Sequence, residues 1–136
     1  MIREKSCGAV LFRRYGGERR YLILHSTQGH YTLCKGHVEA NESEHETAVR
    51  EIAEETGLCP AFIPGFRETI AYSPCTGHQK EVVFFLAEAD DSPLICQKEE
   101  VADADFFPYA EASARLTHDS DRAVLEKADR YAALHA

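Results

Sequence analysis

The run Arg50-Glu51-Ile52-Ala53-Glu54-Glu55-Thr56 is the part of the chain most suited to chemistry. On a helix, Glu51, Glu54 and Glu55 stand at i, i+3 and i+4 and share one face, with Cβ atoms roughly 5–6 Å apart. Three like charges at that spacing repel one another, and no lysine sits four residues after Glu51 to relieve them. Such a cluster suits a hard divalent cation, which takes oxygen ligands; magnesium also keeps several waters for substrate phosphates. Arg50 precedes Glu54 by four residues, so it can grip that carboxylate with two N–H groups and fix its direction. Taken alone, however, E-x-x-E-E is the pattern of an ordinary solvated acidic face.

The elements around this run are marked well enough to place it. Ser43 and Glu46 form an S-x-x-E capping box, and Gly57 followed by Pro60 supplies a stop, which predicts a helix over 44–56. Val49, Ile52, Ala53 and Thr56 are its expected inward stripe. Glu42, just ahead of the helix, gains from the helix dipole. Residues 7–12 and 21–25 are apolar runs separated by Tyr15-Gly16-Gly17-Glu18, the pattern of an antiparallel hairpin. Val82-Val83-Phe84-Phe85-Leu86, within 79–89, is continuously apolar and predicts a central strand covered on both faces. A further strand is expected over 104–108. A C-terminal helix is expected over 119–134, with Val124, Ala128 and Tyr131 on one side. The class is α/β, a mixed sheet held between helices.

Composition narrows the partners. The 136 residues fit a single domain over 1–136, and 44% hydrophobic with 28% charged residues is a globular balance. A formal charge of -8 argues against stable nucleic-acid binding, which needs many lysines and arginines on phosphates. A small anionic substrate is compatible with that charge, because a few local cations or a metal reverse the field inside one cleft. Five separated cysteines form no C-x-x-C pair, and no stretch reaches membrane-spanning length. The expectation is a reduced, cytoplasmic protein with no membrane partner, a monomer or homodimer acting on a small molecule.

The wider spacing around the acidic run is Gly36, five residues, Glu42, seven residues, then Arg50-Glu51-Ile52-Ala53-Glu54-Glu55-Thr56-Gly57-Leu58. It matches the Nudix box at all nine specified positions, so the chain resembles the Nudix hydrolases. The resemblance implies an α/β/α sandwich, a divalent cation (Mg2+ or Mn2+) and a positioned water that attacks phosphorus in a nucleoside diphosphate derivative. It also implies metal ligation by Glu51, Glu55 and the Gly36 carbonyl, with Glu54 sharing metal or base duty and Arg50 orienting a glutamate. Glu100, beside Glu99, falls where many members of the family carry an extra acidic ligand or base.

Flanking residues resemble the asymmetrical diadenosine tetraphosphate hydrolases within that family. These are His30, Lys35-Gly36-His37-Val38-Glu39, Gly65-Phe66, Tyr72 and Lys80. The resemblance implies phosphate contacts from His30, Lys35 and Lys80, adenine contact from Tyr72, and cleavage of diadenosine tetraphosphate to ATP and AMP. Other expected possibilities are an oxidised nucleoside triphosphate, an RNA 5′-end, a diphosphoinositol phosphate, or a non-catalytic nucleotide sensor. The chain departs from the subfamily at Cys34, where a proline is usual, and at Ala40-Asn41 in place of Pro-Gly. Asn41 can take a left-handed backbone and so preserve the turn.

Overall fold

A computed structural model describes residues 1–96 and 98–136. Strand β1 (Ile2–Tyr15) turns through Gly16 and Gly17 into β2 (Glu18–Ser26), pairing antiparallel from Phe12↔Tyr21 to Tyr15↔Glu18. Both glycines have positive φ, 58° and 88°, which a two-residue hairpin turn of matching twist requires. Two short strands, β3 (Tyr31–Thr32) and β4 (Cys34–His37), then lead into helix α1 (Glu44–Thr56). After it come β5 (Pro60–Phe62), β6 (Glu68–Tyr72), the long β7 (His78–Ala89) and β8 (Val101–Pro108). The chain ends in α2 (Tyr109–Arg115) and α3 (Asp119–His135).

The strands form one mixed sheet. Its spine is the parallel pairing of β1 with β7, running from Ile2↔His78 to Phe12↔Glu88, while the other pairings are antiparallel. Because side chains alternate across a strand, the apolar runs of β1 and β7 feed two cores. Val10, Phe12, Val82, Phe84 and Leu86 pack with Leu116, Val124, Leu125, Ala128 and Ala132 of the C-terminal segment. Cys7, Ala9, Leu11, Val83, Phe85 and Ala87 pack with Ala48 and Ile52 of α1. A helix layer therefore lies on each face, and the continuous run in β7 is explained by burial on both sides.

Helix α1 begins and ends where its caps require. The Ser43 hydroxyl accepts from the Glu46 N–H (3.1 Å), the Glu46 carboxylate accepts from the Ser43 N–H (2.8 Å), and Gly57 closes the helix at φ 74°. Its inward face differs from the expected stripe. Val49 is 40% exposed and Ala53 is exposed, while Thr47, Ala48, Glu51, Ile52, Glu55 and Thr56 are buried. Two glutamates thus take part of the face that an apolar stripe would occupy, which rotates Val49 into solvent. The short strands β3 to β6 and helix α2 carry periodicity too brief to read from sequence.

Ile52→Ala is expected to lower unfolding free energy by about 2–5 kcal/mol, the range for truncating a buried aliphatic residue. Val49→Ala should change it by less than about 0.5 kcal/mol, as surface changes do. Urea denaturation of both variants checks which side of α1 faces the core, and equal losses would contradict the assignment.

Candidate active site

The acidic face of α1 opens onto a cleft of about 410 Å³. The helix supplies Arg50, Glu51, Glu54 and Glu55; β4 supplies Lys35, Gly36 and His37; Ser6 of β1 and Lys80 of β7 complete the sheet side. Lys98 and Glu100, from the connection between β7 and β8, close the remaining wall. The register of β4 against β1 fixes this arrangement. Gly8 faces Lys35, and Cys7 faces Gly36. A Cβ on Gly8 would lie 1.8 Å from the Cys34 carbonyl oxygen, so only glycine lets β4 approach so closely. Gly36 is constrained from the other direction. A Cβ there would fall 1.9–2.2 Å from the Glu51 carboxyl group, which rests directly on the bare backbone.

Arg50 is the organiser of the cluster, although its main partner differs from the expected one. Its Nε and Nη2 donate to the two oxygens of Glu42 (2.6 and 3.0 Å), and Nη2 also donates to the His37 carbonyl (2.8 Å). Nη1 reaches Glu51 at 3.1 Å and Glu54 at 3.3 Å. Glu42 wins the two-pronged contact because its own segment holds it: the Glu39 N–H and the Thr47 hydroxyl both donate to it at 2.9 Å. Arg50, followed by those donors, holds the Glu42 carboxyl down at about 2. Asn41 precedes it with φ 68°, the left-handed backbone that asparagine tolerates.

Lys98 was not foreseen. Its ammonium donates to both oxygens of Glu51, one of them at 3.0 Å, and lies 3.3 Å from Glu54. No local sequence signal pairs positions 47 residues apart; the fold alone brings this counter-charge to Glu51. For Glu54, desolvation is outweighed by Lys98 and Arg50, which hold its carboxyl below the usual range. Glu55 has neither cation in contact. It is 9% exposed, and its Oε1 has no hydrogen-bond partner. Burial raises its carboxyl to about 7; the adjacent Cys34 thiol opposes that rise and the Glu51 charge adds to it. Burial in turn holds the Cys34 thiol well above its ordinary range, which disfavours the thiolate that a nucleophile needs.

Among the described residues, no three acidic, histidine or cysteine side chains converge on one point in this arrangement. Glu51 and Glu54 instead both contact the Lys98 ammonium. The donor set nevertheless fits a hard cation: a buried unpartnered carboxylate oxygen on Glu55, two further carboxylates on the same face, and a main-chain segment at Gly36 with no side chain in the way.

A second cleft of about 320 Å³ adjoins the first and is lined by Thr32, Lys35, Ile70, Tyr72, His118 and Asp121, among others. Lys35 lines both clefts. Tyr72 is 45% exposed there and pairs in register with Lys80 across β6 and β7. His30 lines neither cleft; its ring stacks on His118 at 5.7 Å. Glu100 lines the carboxylate cleft and Glu99 does not.

The raised carboxyl of Glu55 makes metal-free stability pH-dependent. The folded form keeps a proton that the unfolded chain releases near 4.5, so stability is full below that value and falls as pH rises to about 7. The loss is on the order of 3 kcal/mol. In chelator, Glu55→Gln should remove this decline, and the gap between the two proteins in urea unfolding should widen in the variant's favour from pH 5 to pH 8. A constant gap would contradict the burial of an acidic Glu55.

The NUDIX domain model matches residues 3–128. The mouse asymmetrical bis(5′-nucleosyl)-tetraphosphatase is 36% identical over 98 residues, covering 64% of this chain and 66% of that protein, just under two thirds of its length. The NAD-capped RNA hydrolase NudC of Mannheimia succiniciproducens is 36% identical over 93 residues, covering 68% of this chain and 33% of that protein. A crystal structure of a C. elegans Ap4A hydrolase binary complex superposes with a TM-score of 0.87 at 24% identity, covering 96% of this chain and 98% of that one. The fold is thus that of the Nudix α/β/α sandwich, and the chain belongs to the NUDIX family.

Proposed function

We propose that the chain is a divalent-cation-dependent hydrolase that cleaves a phosphoanhydride bond in dinucleoside polyphosphates, with diadenosine tetraphosphate split to ATP and AMP. The observation that carries this reading is Lys35, which lines both the carboxylate cleft and the cleft holding Tyr72. A substrate with a charged polyphosphate and a flat base at its end has a use for both spaces. A mononucleotide derivative needs less of the second.

In this reading Glu51, Glu54, Glu55 and the Gly36 carbonyl hold Mg2+ or Mn2+, which when bound polarises phosphoryl oxygens and offsets charge on the leaving phosphate. Arg50 keeps Glu51 and Glu54 aimed into the cleft while anchored on Glu42. Glu54 is the more open carboxylate, its side chain 40% exposed against 4% for Glu51, so it is well placed to accept a proton from an attacking water. Glu100 offers a further carboxylate from the opposite wall. Lys35 and Lys80 contact phosphates, His30 approaches from beside His118, and Tyr72 stacks on adenine. The same reading takes residues 1–136 as one domain, monomer or homodimer, acting in the cytoplasm.

Hydrolysis of diadenosine tetraphosphate in oxygen-18 water, run beside an NAD-capped RNA, a nucleoside triphosphate and a diphosphoinositol phosphate, identifies both the substrate and the phosphorus attacked. The expected result is label in AMP or ATP from the dinucleotide and little turnover of the others; faster cleavage of another substrate would displace the proposal. Binding of nucleotide with no turnover in Mg2+ or Mn2+ would favour a sensor instead. Glu54→Gln should lower kcat by about 10²–10⁴-fold with the fold intact by circular dichroism. Lys80→Ala should raise KM more for tetraphosphate than for diphosphate substrates, and equal effects would remove its phosphate role.

A further inference from the structure

The two cations of the carboxylate cluster are held in different ways. Arg50 is tied down on three sides: to Glu42 through two nitrogens, to the His37 carbonyl, and to the helix that carries it. Removing it from Glu51 and Glu54 would break contacts that shape the loop ahead of α1. Lys98 has no such ties. Its ammonium makes hydrogen bonds only to Glu51 among the described residues, with Glu54 as its second ion-pair partner. Its backbone segment is fastened elsewhere. The Ile95 N–H donates to the Thr56 carbonyl at 2.9 Å, and the Glu100 carbonyl accepts from the Thr27 N–H at 2.8 Å. The Lys98 carbonyl accepts from the Val101 N–H at 3.1 Å, and the side chain can swing on its four-carbon stem without breaking that backbone contact.

Its position also conflicts with the use of the site. Lys98 covers both oxygens of Glu51, a side chain only 4% exposed, and approaches Glu54. A divalent ion on those oxygens would meet the ammonium at close range, inside a cleft where like charges are poorly screened. Ammonium and metal therefore compete for Glu51. Meanwhile Glu55 Oε1 is buried with no partner, so the ammonium leaves part of the donor set unsatisfied that a metal would satisfy.

We propose that Lys98 is an internal counter-ion that occupies the metal's carboxylates in the metal-free protein and is expelled when the metal binds. Expulsion leaves its charge at the wall of the same cleft as Lys35 and Lys80, where a polyphosphate would lie. Lys98 thereby lowers the affinity for metal, stabilises the metal-free fold, and becomes free for substrate phosphate only after the metal has arrived. The inference rests on the metal ligation proposed above, and its test uses no nucleotide.

Mg2+ is titrated calorimetrically into chelator-treated wild type, Lys98→Gln and Lys98→Arg. Lys98→Gln is expected to bind Mg2+ about tenfold more tightly than wild type, the scale of one charge-assisted hydrogen bond removed from the competing state. Lys98→Arg, which keeps the charge, should show no such gain. In chelator Lys98→Gln should melt below wild type, with the gap closing at saturating Mg2+. In the unaltered protein, acylation of Lys98 by an amine-reactive ester, read by mass spectrometry, should be slow in chelator and rise severalfold in Mg2+. Unchanged or weaker Mg2+ binding by Lys98→Gln, or a Lys98 equally reactive with and without Mg2+, would overturn the proposal while leaving the metal site standing. Failure of all three proteins to bind Mg2+ or Mn2+ would overturn the metal site itself, and this proposal with it.

Discussion

Glu51 lies with its carboxyl group against the backbone of Gly36, close enough that a single methyl group could not fit between them. That contact joins helix α1 to strand β4 at a point where neither element supplies an apolar side chain, and a charge is buried there. Burial of a carboxylate is costly without compensation. The surrounding structure supplies it through Arg50 on the helix and Lys98 from the far connection, and Gly8 lets the whole of β4 move in against β1. Loosening the Gly36 contact would leave the two cations without the geometry that makes them useful.

How much of this could be read from the chain depended on whether the determinants were local. The helix was legible to the residue because its signals lie within it: Ser43 and Glu46 at one end, Gly57 at the other. The four longer strands, β1, β2, β7 and β8, were legible because eight to fourteen residues carry enough alternation or apolar continuity. The inward stripe expected from Val49, Ile52, Ala53 and Thr56 holds only at Ile52 and Thr56, because Glu51 and Glu55 are themselves buried and Val49 turns outward. The partner of Arg50 was misread for a related reason. Helical spacing favoured Glu54, but Glu42, held by Thr47 and the Glu39 N–H, offers a more rigid target. Lys98 had no signal, because nothing in a single sequence ties a loop lysine to a helix so distant along the chain.

The two adjoining clefts divide the recognition problem by chemistry. One is walled by carboxylates and cations and suits a metal and phosphates; the other is lined by Ile70, Tyr72 and His118 and suits a flat, partly apolar group. A net charge of -8 coexists with this because the cations Lys35, Lys80 and Lys98 are gathered where an anion would sit. His30 lines neither cleft but stacks on His118, which lines the second.

The parallel pairing of β1 with β7 has a consequence for how the chain reaches this state. The two strands that bring Ser6 and Lys80 to one cleft are separated by residues 16–77, including α1 itself. Parallel pairing at such separation must close a long loop before any of its contacts form, which places it among the slow steps of folding. The helix with its caps can form early and alone. The cleft cannot, since the sheet side of it exists only once the chain's first strand has met its seventh. Binding competence is therefore a late property of the whole molecule, and a fragment carrying only residues 36–58 would hold the acidic pattern without the site.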